Sequence, residues 1–175
     1  IGASLGSDAI KQGLKGATLG AGLVLLFMVF YYHWSGLVAN GAVLFNLLLQ
    51  LSALALFGAS MTLPGIAGLA LTIGMAVDAN VLINERIREE LREGRSPRAA
   101  VDVGYGKAFA AIFDGHVTTF IGGLLLLQYG TGPIKGFAVT LIIGIIASLF
   151  TAVVCTRMVF DWWVLGRRVK HLSIG

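Results

Sequence analysis

The stretch "LTIGMAVDANVLINERIREE", Leu71 to Glu90, sets an acid, Asp78, inside a run that is otherwise nearly all apolar. An ionised carboxylate in hydrocarbon costs about 2.5–3.5 kcal/mol even on the lenient insertion scales. What makes Asp78 tolerable therefore decides how the chain is read. Upstream of it, Gly16 to Val77 holds no Lys, Arg, Asp or Glu. That run is about three times what one helix needs to cross a bilayer, so it must fold back on itself. The 175 residues are 57% hydrophobic and 13% charged, about half the charge share of a soluble domain. A soluble globular fold is excluded, and the chain reads as an all-α integral membrane protein.

Working outward from Asp78, five apolar segments of spanning length are expected: residues 16–32, 37–58, 65–83, 108–128 and 137–159. Each must be a helix, because a segment crossing lipid has to satisfy its own backbone hydrogen bonds. Tyr31, Tyr32 and Trp34 close the first segment as interfacial aromatics. "ASMTLPG" reads as a turn, with Pro64 where a helix can begin. "YGTGPIKG" is a second tight loop rich in Gly and Pro. The transmembrane domain then covers 16–160, after a junction at 1–15 and before a C-terminal tail at 161–175. No signal peptide is visible at the opening Ile1, and the reading expects further protein upstream. The single Cys155 has no internal partner and leaves the redox compartment undetermined.

Residues 84–107, between the third and fourth segments, carry most of the charge. Ile83, Ile87 and Leu91 recur at i, i+4, i+8 and give one apolar stripe. Glu85 with Arg88, Arg86 with Glu90 and Glu89 with Arg92 are opposite charges one turn apart. Gly94 suits a helix C′ position, and Ser96-Pro97 an N-cap followed by N1, so two helices meet at a corner. The expectation is a solvated amphipathic helix at the cytoplasmic membrane surface. Arg86, Arg88, Arg92, Arg95, Arg98 and Lys107 fall in this loop, and Arg157, Arg167, Arg168 and Lys170 at the C-terminus. With five spans those regions share one side, against Lys11, Lys15 and Lys135 on the other. The excess of basic residues puts the loop and C-terminus in the cytoplasm and the N-terminus outside.

Asp78 then lies roughly 9 Å inside the cytoplasmic end of the third span, at 1.5 Å per residue. Asp114 lies at a similar depth in the fourth, with Thr118 and Gly122 on its face and Thr119 and Gly123 beside them. Ala70, Gly74 and Asp78 form a small-residue stripe along which a neighbouring helix can approach and polar contacts form. Asn46 and Gln50, one turn apart on the second span, are candidate partners for a buried carboxyl. Asn80 points about 200° away from Asp78 and is expected to meet a different neighbour. His116 reads as a polar packing residue. A desolvated carboxyl whose charged form is disfavoured can load and release a proton, and that is the function these positions suggest. No basic residue in the spans neutralises Asp78, Arg157 near the last cytoplasmic end apart, so a counter-ion is expected from another chain or not at all. No phosphate loop, metal-ligand cluster or nucleophile triad is present, and no cofactor or nucleic acid is implied.

Taken together, "TLPGIAGLALTIGMAVDANVLINERIREELREG" and "GTGPIKGFAVTLIIGIIASLFTAVVCTR" resemble the C-terminal membrane half of SecD in the SecD/SecF family, part of the resistance-nodulation-division (RND) superfamily. The resemblance runs from "IGASLGSDAI" to "RRVKHLSIG". It implies spans two to six of a six-span translocase subunit in the prokaryotic plasma membrane. It implies SecF, the SecYEG channel, a translocating secretory polypeptide and membrane lipids as partners, with YajC and YidC as further candidates. It also implies a non-enzymatic role, coupling protein export to the proton-motive force, with Na+ as the alternative ion. Asp78 matches the family's intramembrane acid in "GMAVDANVLI", and a basic residue is supplied by a SecF span. Two departures stand out: Asn84 replaces an aromatic, and "DGHVTT" stands where "DAN", an apolar residue and "TT" are usual. Asp114, Thr118 and Thr119 are kept. The rival readings are an RND-type exporter of small molecules or lipids, and a structural subunit that clamps the channel.

Overall fold

A computed structural model describes residues 3–58, 62–167, 172 and 174. Ala59 to Met61 of the expected "ASMTLPG" turn, Arg168 and Lys170 of the tail, and the first two residues of the junction lie outside them. The described residues form α1 (Ala3–Leu56), α2 (Leu63–Arg92), α3 (Pro97–Tyr129), α4 (Pro133–Leu149), a π-helical turn (Phe150–Cys155) and α5 (Thr156–Arg167). Four runs are long and apolar enough to cross a membrane, the last being α4, the π turn and α5 in continuity.

The sequence predicts a short connection between the first two apolar segments, and within the 54 residues of α1 two helical limbs part at His33 (φ 52°, ψ −121°), in that connection. Positive φ is costly for a residue with a Cβ, so the surroundings must hold the break. Asn40 Nδ2 donates to the Leu25 carbonyl at 2.9 Å, fifteen residues earlier. A Cβ at Gly36 would lie 2.0 Å from the Met28 carbonyl oxygen. The two limbs therefore fold back as a tight antiparallel hairpin that only glycine permits at that point. Ser35 Oγ donates to Asn84 Oδ1 at 2.6 Å, and Tyr32 OH to Glu85 Oε1 at 2.8 Å, which tie the bend to α2.

The corner between α2 and α3 is built from the expected residues. Gly94 takes φ +84°, and Ser96 caps α3 by accepting from Ala99 N at 3.4 Å, with Pro97 opening the helix. The amphipathic helix expected over 84–107 is not a separate element. Its first part continues α2 to Arg92 and its second begins α3 at Pro97. Nothing in residues 84–92 breaks a helix, and their apolar stripe has a protein partner: Ile87 is fully buried against Gly104, where an added Cβ would lie 2.8 Å from its side chain. Glu85 pairs with Arg88 at 3.1 Å as expected, but Arg86 pairs with Glu89 at 2.7 Å. Glu90 is drawn inward between Lys107 and Arg95 instead.

Helix α2 is central, packing on α1, α3 and α4. The apolar core joins residues 28–43 of α1, 76–87 of α2, 100–112 of α3 and 152–164 of the last run, all towards the corner. Towards the opposite end the first limb of α1 faces α2 across a groove walled by Gly13, Gly16 and Gly20. Along this limb Leu19, Leu23 and, next to the bend, Phe30 are about 70% exposed or more, as expected of a surface that meets lipid rather than water.

Candidate functional site

Asp78 does not lie inside the bundle. Its side chain is exposed and lines a groove of about 380 Å³ between α2 and α3. Leu71, Met75, Asp78 and Leu82, spaced by four, three and four residues, make one wall. Ala111, Gly115 and Thr119 make the other, with Ile112 and His116 at its floor. Small residues at i, i+4 on α3 leave the groove open, since a Cβ at Gly115 would meet nothing within 4 Å. Asp78 was expected to be shielded by its own chain. It is not, because α4 packs on the other side of α2. Gly74 is also exposed, a Cβ added there would meet nothing within 4 Å, and it lines a second groove whose opposite wall is Gly13, Gly16 and Gly20 of α1.

The expected partners of the carboxyl are engaged elsewhere. Gln50 Nε2 donates to Thr72 Oγ1 and to the Thr140 carbonyl, both at 2.9 Å, which stitches α1, α2 and α4 together. Asn46 Nδ2 reaches Thr151 Oγ1 at 3.5 Å. Asn80 donates to the Ala76 carbonyl of its own helix at 2.8 Å, not to a neighbour. Thr119 shares the groove with Asp78, its hydroxyl donating to the Gly115 carbonyl at 3.0 Å. Asp114 and Thr118 are exposed on a different face of α3, where Thr118 Oγ1 donates to the Asp114 carbonyl at 2.9 Å. The acids thus do not share a groove.

His116 is buried, 5% exposed, and bridges helices. Nδ1 lies 2.8 Å from the Ile112 carbonyl and Nε2 lies 3.1 Å from Ser148 Oγ on α4. A carbonyl only accepts, so Nδ1 carries the hydrogen, and in the neutral ring Nε2 accepts from the Ser148 hydroxyl. Sequence reading missed this contact and the Gln50–Thr72 pair, because helix-to-helix register is not written in a single strand of sequence. One signal was available: Ala108, Ile112 and His116 follow at i, i+4, i+8, and all three are buried.

Around the corner the charges are paired. Arg157 donates to Asp102 at 2.6 Å and to Asp161 at 3.3 Å, and it stands over the Tyr105 ring. Among the described residues no cluster of three His, Cys, Asp or Glu could hold a metal ion. Chemically, the groove offers a carboxylate open on one side with an imidazole at its floor. A carboxylate so placed can take up and release a proton.

Residues 1–165 match the model of the family described as protein export membrane protein SecD/SecF, C-terminal. The chain is 58% identical over 174 residues to the protein translocase subunit SecD of Desulfurispirillum indicum, covering 99% of this chain and 34% of that protein. It is 55% identical to the Rhodothermus marinus protein of the same name, covering 100% of this chain and 28% of that one. The chain thus spans about a third of the length of the curated relatives it matches. The crystal structure of SecDF, a translocon-associated membrane protein from Thermus thermophilus, superposes with a TM-score of 0.91 at 42% identity. It covers 97% of this chain and 24% of that one. A super-membrane-facing form of SecDF gives 0.87 at 42% identity, covering 95% and 23%.

Proposed function

This chain belongs to the SecD/SecF family of protein-export membrane proteins, and from that premise we propose that it is the membrane core of a SecD-type Sec translocase subunit. In this reading Asp78 accepts a proton from the extracytoplasmic side and releases it to the cytoplasm. The ion flow drives export of secretory polypeptides through SecYEG, with SecF covering the open face of α2 and with YajC and YidC as candidate further partners. The bend at His33 makes two crossings of α1, five in all, in a prokaryotic plasma membrane. The corner at Gly94 and α5 are cytoplasmic, on the side that holds ten of the thirteen basic residues.

The observation that carries the reading is the open stripe of Ala70, Gly74 and Asp78. An ionised acid on that face would cost about 2.5–3.5 kcal/mol in lipid, while small residues on both sides of it suit the close approach of another helix. Relatives three times longer than this chain have the sequence to supply one. A membrane potential of 100 mV is worth about 2.3 kcal/mol per charge moved, enough to bias a two-state bundle roughly fifty-fold.

The test is Asp78→Asn in the full-length subunit, nearly unchanged in shape. Export into membrane vesicles is measured with and without an imposed proton gradient. The gradient-dependent part of export is expected to fall at least tenfold, with normal subunit levels and normal association with the channel. If gradient stimulation survives, the carboxyl is not the coupling group and the clamp reading takes its place. Stimulation by a sodium gradient alone would replace H+ by Na+ in the same scheme.

A further inference from the structure

We propose that Arg88 is the centre of a backbone-carbonyl site, occupied by Ile174 of this chain, and that this occupancy is a latch that holds the bend of α1. Nothing in it depends on the role given to Asp78. A buried arginine is rare unless its charge and its donors are matched. Arg88, near the corner end of α2, is 8% exposed and uses both edges of its guanidinium. On one edge Nη1 donates to Glu85 Oε1 at 3.1 Å and to Tyr31 OH at 3.2 Å. On the other, Nε and Nη2 converge on the Ile174 carbonyl at 3.1 and 2.6 Å. The guanidinium carbon also stands 4.8 Å from the centre of the Tyr31 ring and 5.2 Å from that of Tyr32, within reach of cation–π attraction. Glu85 serves only the first edge, and it accepts from Tyr32 OH at 2.8 Å as well. Without Ile174 the second edge has no acceptor among the described residues, a costly condition for a charged donor.

Two features specify the occupant. A carbonyl is a backbone group, so the hydrogen bonds fix where the chain lies and not which residue lies there. The side chain supplies the selection: Ile174 is 2% exposed and belongs to the same buried apolar cluster as Tyr32, Ile83 and Ile87, with Leu172 packed against that cluster. Among the described residues, the hydrogen bonds that tie Ile174 to the bundle come from Arg88 alone. A segment held at one carbonyl and two apolar side chains can leave without any helix unfolding, which distinguishes a latch from a piece of the core.

The contact bears on the bend because Tyr31 and Tyr32 immediately precede His33, whose φ of 52° is costly for a residue with a Cβ. After the break, Ser35 is fixed on Asn84. Before it, the Tyr31 hydroxyl meets Arg88 and the Tyr32 hydroxyl meets Glu85. Arg88 therefore anchors one side of the break. The Ile174 carbonyl, gripping the far edge of the same rigid plane, keeps that plane turned toward the tyrosines.

Two measurements on the full-length subunit in detergent test this. In the first, Ile174→Cys keeps the gripped carbonyl, which is backbone, and puts a thiol in the site. Its reaction with a maleimide is compared with that of Glu93→Cys, an exposed position near the corner, the parent with Cys155 giving the background. The thiol at position 174 should react at least about tenfold more slowly, and combining it with Arg88→Gln or Arg88→Lys should remove most of that protection. Lysine keeps the charge but lacks the planar fork, so protection that survives Arg88→Lys overturns the grip assigned to the guanidinium. Equal rates at 174 and 93 with Arg88 intact would mean that the site is empty, and the proposal falls. In the second, amide hydrogen exchange is followed in Ile174→Lys, over residues 31–36 at the bend and over residues 65–72 of α2 at the far seam. An ammonium can neither enter the apolar cluster nor sit beside Arg88, so the segment is expelled while every residue of the bend and of α2 stays as it was. Exchange at the bend should quicken about tenfold, and exchange at the far seam should stay within about twofold of the parent. A bend that exchanges as slowly as in the parent would make Ile174 a passenger and sink the latch. Equal quickening at both places would make Ile174 an ordinary part of the core, which also overturns it.

Discussion

Along α2, Gly65, Gly68, Thr72 and Ala76 turn inward and are buried, while Ala67, Ala70, Gly74 and Asp78, from the same turns, are exposed. Both faces are small and slightly polar, and both look alike in sequence. On the inner face α4 answers in kind: added Cβ atoms at Gly65 and Gly68 would touch Thr140, and Gly144 lies against Thr72. Thr72 and Gln50 satisfy one another there. On the outer face the neighbouring helices stand back: Ala67, Ala70 and Gly74 look across a groove to the first limb of α1, and Asp78 across another to α3. Small residues on a membrane helix thus mark where a neighbour can come close, and only the partner's own sequence says whether it belongs to the same chain.

The inner face is broken most severely at Gly144. A Cβ there would lie 2.4 Å from both Gln50 Nε2 and Thr72 Cγ2. Gly144→Leu must push α4 off α2 and displace Gln50, with an expected cost of about 3 kcal/mol or more from overpacking and lost hydrogen bonds. Thermal unfolding of the full-length subunit in detergent should show a large fall in midpoint. An unchanged midpoint would mean that this seam is not closed as described.

Removing the polar stitch while keeping the close approach should matter less. Gln50→Leu loses the bonds to Thr72 and to the Thr140 carbonyl. Yet the Thr72 hydroxyl retains an acceptor in the Leu69 carbonyl at 3.0 Å. Interhelical hydrogen bonds in membranes average about 0.6 kcal/mol and reach about 1.7, and the midpoint should shift accordingly. A loss as large as that at Gly144 would show that Gln50 rather than shape complementarity holds the seam.

The contrast also explains what could be read beforehand. The apolar helices, the Gly94–Ser96–Pro97 corner and the Ile83–Ile87–Leu91 stripe follow from periodicity and capping, which are local properties. The break between the first two apolar segments falls at His33, but the tightness of its hairpin could not be read, because it depends on Gly36 meeting a backbone carbonyl eight residues earlier. The partners assigned to Asp78 were wrong for the same reason. Asn46 and Gln50 are indeed buried polar groups, but which side of α2 they reach depends on the rotation of one helix against another. Residues 84–107 look amphipathic because they are, and their apolar stripe faces protein rather than a membrane surface.

The smallest effect on folding is expected on the outer face, at Gly74, and it separates the two faces most sharply. Nothing lies within 4 Å of a Cβ added there. Gly74→Ala should therefore leave the midpoint of the subunit alone unchanged or raise it, since alanine in a helix interior is favoured over glycine by up to about 1 kcal/mol. With the partner membrane half present the same methyl group would fall in the proposed contact. Gradient-driven export and co-purification of the partner should then both decline, by a few-fold rather than completely, because one methyl can be partly accommodated. If Gly74→Ala destabilises the lone subunit as substitution at Gly144 does, the outer face is already packed and the reading of an open stripe is lost. If it changes neither folding nor partner recovery, the stripe faces lipid, and Asp78 must be tolerated there by some means other than a covering helix.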